Sequence, residues 1–272
     1  MSKKHREFVK THKAHNKKGG GCIVYCTSKY DPGDPHSHRY HAAEQARGEN
    51  RVPYNDYEMV KPTRLYRSMK YLKELKKAGG VVGAVGSTSR KKVGVANVKP
   101  FYTSAHPFKH NAHHIIPSSN LEQSIDKVCE NAKPNQERMR NIVIGGLLGE
   151  PYNNNDRPNM IVLPLLLEDS EVLGLPIHTD GQADHPDYRR SVETQLKARF
   201  QSGYTSLASQ VAALKHDDDD PDPPPMKPTL EPLSKATYEA IIGMAVSKRA
   251  AKKSLDMIRA QLMRQVNKTL AG

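Results

Sequence analysis

Six of the chain's 13 histidines fall between His106 and His185, among residue types that hydrolytic chemistry uses. His113 and His114 are adjacent and run into Ile115-Ile116-Pro117, Asn159 follows a turn, and His178 and His185 precede an amphipathic segment. An imidazole has an unperturbed pKa of about 6.5, so near neutral pH it can take a proton from water. The neutral ring can instead give one nitrogen to a divalent metal while a hydrogen-bond acceptor fixes the other. Hydrolysing a phosphodiester needs a base, a cation that neutralises charge at phosphorus and the leaving oxygen, and a group that holds the base in the right tautomer. Histidine suits two of those three roles. A single histidine is more often a surface or satisfied core residue, and an asparagine after Pro158 is an ordinary turn residue, so the joint order of these residues carries the reading.

The charge of the chain points the same way. Its formal net charge is +13, and residues 1–110 hold 23 Lys and Arg against 8 Asp and Glu, which leaves the remainder near neutral. Clustered Lys and Arg attract phosphate and release its counterions, so nucleic acid leads the candidate partners, although a basic run is as often a solvated face. Arg90, Lys91, Lys92 and Lys109 are the candidate nucleic-acid contacts. With 36% hydrophobic residues, no Trp and four Phe, a modest core with long solvated segments is expected. Three cysteines, Cys22, Cys26 and Cys129, are too few and too irregular for a disulfide framework, which favours a reducing compartment. Cys22-x-x-x-Cys26 followed by His36, His38 and His41 permits a small structural zinc site. The cysteine spacing is not the usual pair, however, and Pro32, Gly33 and Pro35 account for a polar loop, so ordinary cysteines are the expectation. The charged start has no apolar stretch behind it, and the apolar run Ile161 to Leu167 is interrupted by Pro164, so neither a secretory leader nor membrane insertion is expected.

The elements that must position these residues follow from periodicity. Residues 1–100 form a basic and partly flexible region. Within it Leu65, Met69, Leu72 and Leu75 mark a helix stopped at Gly79-Gly80, and residues 81–98 suit short strands. His113 to Pro117 reads as a strand, which sends the two imidazoles to opposite faces unless a bulge re-aims one. Helices are predicted around 121–130 and 135–148, then a turn at Asn153-Asn154-Asn155-Asp156-Arg157-Pro158 and a strand at 160–163. Tyr188, Val192, Leu196 and Phe200 advance by fours along one helix face, with Asp184 or His185 as the cap and Pro186 in the first turn. The Asp- and Pro-rich stretch within 205–233 reads as a solvated linker, and residues 234–272 as a helical tail whose apolar face needs a partner in this chain or another.

These residues resemble the ββα-metal nucleases of the HNH and endonuclease VII superfamily, in the branch named for its Ala-His-His signature. Ala112-His113-His114 matches that signature, Asn159-Met-Ile-Val-Leu-Pro164 is similar to the family's Asn-x-x-x-Leu-Pro strand, and His178 with His185-Pro-Asp-Tyr188 is similar to its paired histidines opening the last helix. The resemblance covers about residues 105–200 and implies an α+β fold: an HNH-like core over 101–204 with a helical and irregular N-terminal extension and a C-terminal helical tail. It implies His113 and His185 as metal ligands, His114 as the general base, Asn159 as the residue orienting that base, and His178 as a further ligand or phosphate contact. The implied cofactor is a divalent cation, Mg²⁺ or Mn²⁺ if phosphate and water complete the shell, Zn²⁺ or Ni²⁺ by ligand softness. The implied activity is endonucleolytic cleavage of DNA by an antibacterial effector toxin. Such a protein is held in the producer's cytoplasm by a cognate immunity protein and delivered, through a secretion-system spike or adaptor, into the cytoplasm of a target bacterium. The competing expectations are a non-catalytic nucleic-acid-binding protein with structural zinc and a housekeeping repair or phage nuclease.

Overall fold

The computed structural model describes residues 15, 20–23, 30–48, the strands 81–85 and 92–96, and residues 108–178, 185–216 and 218–272. In chain order the elements are α1 (His38–Gly48), β1 (Val81–Val85), β2 (Lys92–Ala96), β3 (His110–His114), α2 (Ser118–Glu130), α3 (Gln136–Gly149), a 3-10 turn at Arg157–Asn159, β4 (Met160–Pro164) and α4 (Leu167–Leu173). They continue as α5 (Pro186–Leu196), which runs into a π turn at Lys197–Gln201, then α6 (Thr205–Ala213), α7 (Lys227–Val246) and α8 (Leu255–Ala271). The class is α+β: helices with two small antiparallel pairs, β1 with β2 and β3 with β4. The helix expected at Leu65 to Lys77 lies outside the described residues, as do Arg90 and Lys91.

Side-chain spacing explains the packing. Leu121, Ile125 and Val128 form the buried stripe of α2, which meets Met139, Val143 and Leu147 of α3. All five residues of β4 are buried, since α1 covers this strand while β3 pairs along its edge. Tyr188, Val192, Leu196 and Phe200 are all buried, as their fourfold spacing predicts. Helix α4 ends on Gly174 at φ 71°, and a Cβ there would lie 2.2 Å from the Ala245 carbonyl oxygen. Only glycine lets α4 close against the end of α7.

The expected linker needs correcting, and the helical tail finds its partner in this chain. Residues 205–213 are helix α6, and the acidic, proline-rich chain after it lies along α3. Arg138 holds the Asp220 carboxylate and the Asp218 carbonyl, and Glu150 accepts the backbone N–H groups of Met226 and Lys227 at 2.9 and 2.6 Å. Leu230, Ile241, Leu255, Ile258, Leu262 and Val266 of α7 and α8 then join the same hydrophobic core as β4 and α5. Proline-rich chain makes no ladder, but charged groups on another element can fix it, and composition carries no trace of that. Among the described residues no helix is long and apolar enough to cross a membrane.

Asp169 in α4 is buried, and its Oδ2 has no hydrogen-bond partner. Burial, helped by the neighbouring Glu168 charge, pushes its carboxyl up to about 6. The folded state therefore holds a proton that the unfolded chain releases near 3.8. The stability this group contributes is fully present below that lower value and is lost as pH rises through about 6. Asp169→Asn is expected to stabilise the protein by about 1–3 kcal/mol at pH 8 relative to its effect at pH 4. Urea unfolding of both proteins at the two pH values checks this.

Candidate metal centre and active site

β3 and β4 pair antiparallel with His113 opposite Ile161 and His114 opposite Met160. Adjacent strand residues face opposite ways, and here His113 joins His178 and His185. The three offer ligand nitrogens that all lie within 4.8 Å of one another. Ring centroids are 5.0 Å apart for His113–His178, 5.5 Å for His113–His185 and 5.0 Å for His178–His185, with the planes steeply crossed. His178 is set by its backbone: its N–H donates to Pro164 at the end of β4, and Ile177 donates to Lys253, both at 2.8 Å. His185 occupies the N-cap of α5, its side chain makes no cap bond, and Pro186 follows in the first turn with its φ already set for the helix. Its ring instead sits against His113 and His178. Helix α5 is held in place by Tyr188, whose hydroxyl donates to Ile115 O at 2.7 Å and whose backbone N–H donates to Asp256 of α8 at 2.8 Å. The C-terminal helices thus position two of the three histidines.

The donor set fits a metal. The Nε2 atom of His113 is buried without a hydrogen-bond partner, an arrangement that costs free energy unless something coordinates it. Burial first, then the charges of His178, His185 and His114, hold the His113 imidazole well below its usual range. The ring stays neutral near pH 7, the form that binds a cation.

His114 and His113 line one cavity of about 320 Å³ together with Asn111, Ala112, Pro117, Ser118, Ser119 and His178. Burial lowers the His114 pKa to about 4, partly offset by the Asn155 hydrogen bond and the Cys22 charge. The partner of its Nε2 is Asn155 Oδ1 at 3.0 Å, while Asn155 Nδ2 donates to Cys22 Sγ at 3.5 Å. With the amide nitrogen committed to sulfur, its oxygen faces His114, Nε2 carries the proton and the lone pair sits on Nδ1.

The residue touching the expected base is therefore Asn155, and the role expected of Asn159 changes. Asn159 Oδ1 accepts from Ile116 N at 2.7 Å and Ser234 Oγ at 2.9 Å, and its Nδ2 donates to Ile116 O and to Asn154. It locks the chain two residues past His114 and does not hold the ring. Asn155 was legible only as part of a turn run, because an asparagine that supports a side chain and one that makes a turn read alike. Asn159→Ala would leave buried Ile116 and Ser234 groups unsatisfied and is expected to cost about 3 kcal/mol, read as a lower urea midpoint with an unchanged slope.

Of the expected nucleic-acid contacts, Lys109 is exposed directly before β3, and Lys92 opens β2. Compared with models of known protein families, with curated proteins and with solved structures, the chain matches none.

Proposed function

We propose that this chain is a metal-dependent endonuclease that hydrolyses phosphodiester bonds of DNA, with β3, β4 and α5 as a ββα-metal core of the HNH kind. The observation that carries the reading is the convergence of His113, His178 and His185 beside a cavity that His114 also lines. The three imidazoles would hold the cation. When bound, it would neutralise charge on the phosphate and the departing oxygen. His114, neutral with its lone pair on Nδ1, takes the proton from the attacking water, and Asn155 keeps it in that tautomer. The cavity wall at Ser118 and Ser119 is the N-terminus of α2, which has no acidic residue in its first turn and suits a phosphate oxygen. Lys109 and the basic N-terminal region supply the attraction for the polyanion. Three nitrogen donors favour Mn²⁺, Zn²⁺ or Ni²⁺, and Mn²⁺ also accepts the phosphate and water oxygens that Mg²⁺ would require.

The biological setting belongs to the same proposal: an antibacterial effector, restrained by an immunity protein and carried to its target by a spike or adaptor. Helices α7 and α8 use their apolar faces on this chain's own core, so such partners would meet other surfaces. The test is to incubate the purified full chain with supercoiled plasmid and Mn²⁺, Mg²⁺, Zn²⁺ or Ni²⁺ in turn. Nicked and linear DNA with metal, and none after chelation, is the expected result. DNA binding without cleavage under every metal, with a zinc ion whose removal unfolds the chain, would establish the non-catalytic binder instead. Harmless expression of an active enzyme in a bacterial cytoplasm lacking an inhibitor would point to the housekeeping nuclease.

A further inference from the structure

A second group of metal-type donors stands beside His114. His15, Cys22 and His36 each present a ligand atom, and the three atoms lie within 4.8 Å of one another. Cys22 is fully buried, His36 nearly so and His15 half-buried, and the rings of His15 and His36 are 4.0 Å apart. A cysteine shut away from solvent is no nucleophile for an outside substrate, whereas a ligand needs no such access.

The backbone builds this group deliberately. Cys22 bridges His15 on one side and Asn153 on the other, its N–H donating to Tyr152 O at 2.9 Å and its carbonyl accepting from Asn154 N at 2.7 Å. His36 comes from the turn before α1, where its N–H donates to Asp34 at 2.9 Å and Asn153 Nδ2 donates to Pro35 O at 2.7 Å. Three separate stretches of chain thus deliver one donor each. Of the other residues weighed from the sequence, Cys26 lies outside the described residues. His38 packs against the ring of His114, and His41 contacts Pro35 O and Asp156.

We infer that His15, Cys22 and His36 form a second metal site, structural in role and suited to Zn²⁺, which staples the N-terminal segment and the turn before α1 to the Asn153–Asn155 turn. One sulfur and two imidazoles are a borderline-soft set that favours Zn²⁺ over Mg²⁺ or Mn²⁺. The ordinary-cysteine expectation for Cys22 gives way because its partner His15 precedes it in the chain, outside any forward Cys-x-x-x-Cys pattern. The site also reaches the proposed base. A metal-bound thiolate is a stronger acceptor than a thiol, so it firms the Asn155 N–H···S contact, and through the same amide the tautomer of His114.

The test uses the full chain and reads metal rather than catalysis, so it stands or falls separately from the nuclease reading. Purified protein is assayed for zinc by mass spectrometry, then reloaded with Co²⁺ for absorption spectra. Wild type is expected to hold zinc and, with cobalt, to show a sulfur-to-cobalt charge-transfer band. Cys22→Ser is expected to lose that band and one equivalent of zinc, whereas His113→Ala keeps the band. His15→Ala, at the half-buried edge, carries the test if Cys22→Ser does not fold, and its zinc affinity is expected to fall by more than about 100-fold. Wild-type zinc content and an unchanged cobalt spectrum in either variant would overturn the assignment.

Discussion

His114→Ala is expected to lower metal-dependent plasmid cleavage by about 10²- to 10⁴-fold while leaving the metal centre loaded. His114 lines the cavity but is not among the three clustered donors, so on the proposed reading its removal would delete the proton acceptor and spare the cation site. The stability cost, from the vacated ring space, the lost packing against His38 and the lost Asn155 hydrogen bond, is about 2 kcal/mol, which a folded protein of this size tolerates. Metal content and circular dichroism should match wild type while initial cleavage rates collapse. Asn155→Ala separates positioning from chemistry: it is expected to cost 10- to 100-fold, roughly, and to shift the pH profile of the rate because either tautomer becomes accessible. Cleavage within a few-fold of wild type in His114→Ala would remove this residue from the chemistry altogether.

The contrast between Asn155 and Asn159 shows what the sequence could disclose. Wherever apolar spacing alone decides an element, the pattern was readable: α2, α3, β4 and the Tyr188 to Phe200 stripe fall where periodicity puts them. The head of α5 was narrowed to Asp184 or His185 by the proline that starts the helix, and His185 occupies the N-cap. Long-range polar contacts were not. Asn159 reaches Ser234 across 75 residues, Tyr188 reaches Asp256 across 68, and Asn155 reaches Cys22 across 133. Asn155 and Asn159 look like turn filler, Ser234 and Asp256 like polar residues on a helix face, and nothing local distinguishes them from solvated neighbours. The partner of the helical tail was left open for the same reason. Its apolar stripe said that a partner was needed, but only the fold shows that the partner is the element carrying His185.

Replacing His113 tests a different component of the site. Its ring neighbours both His178 and His185, and its Nε2 is a buried nitrogen without a hydrogen-bond partner, so His113→Ala removes one of the three clustered donors. Metal affinity is expected to fall by more than about 100-fold, and cleavage at limiting metal by roughly 10³-fold, because charge neutralisation by the cation contributes several kcal/mol. The two losses differ in what repairs them. Added Mn²⁺ should restore part of the His113→Ala rate, since occupancy is what was lost, whereas no concentration of metal should restore His114→Ala. Combining His113→Ala with His185→Ala should cost little more than either alone, because the second change acts on a centre already emptied. Calorimetric Mn²⁺ titration beside cleavage assays reads both quantities. Wild-type affinity in His113→Ala would mean that these imidazoles cluster without holding a cation, and the hydrolytic reading would lose its support.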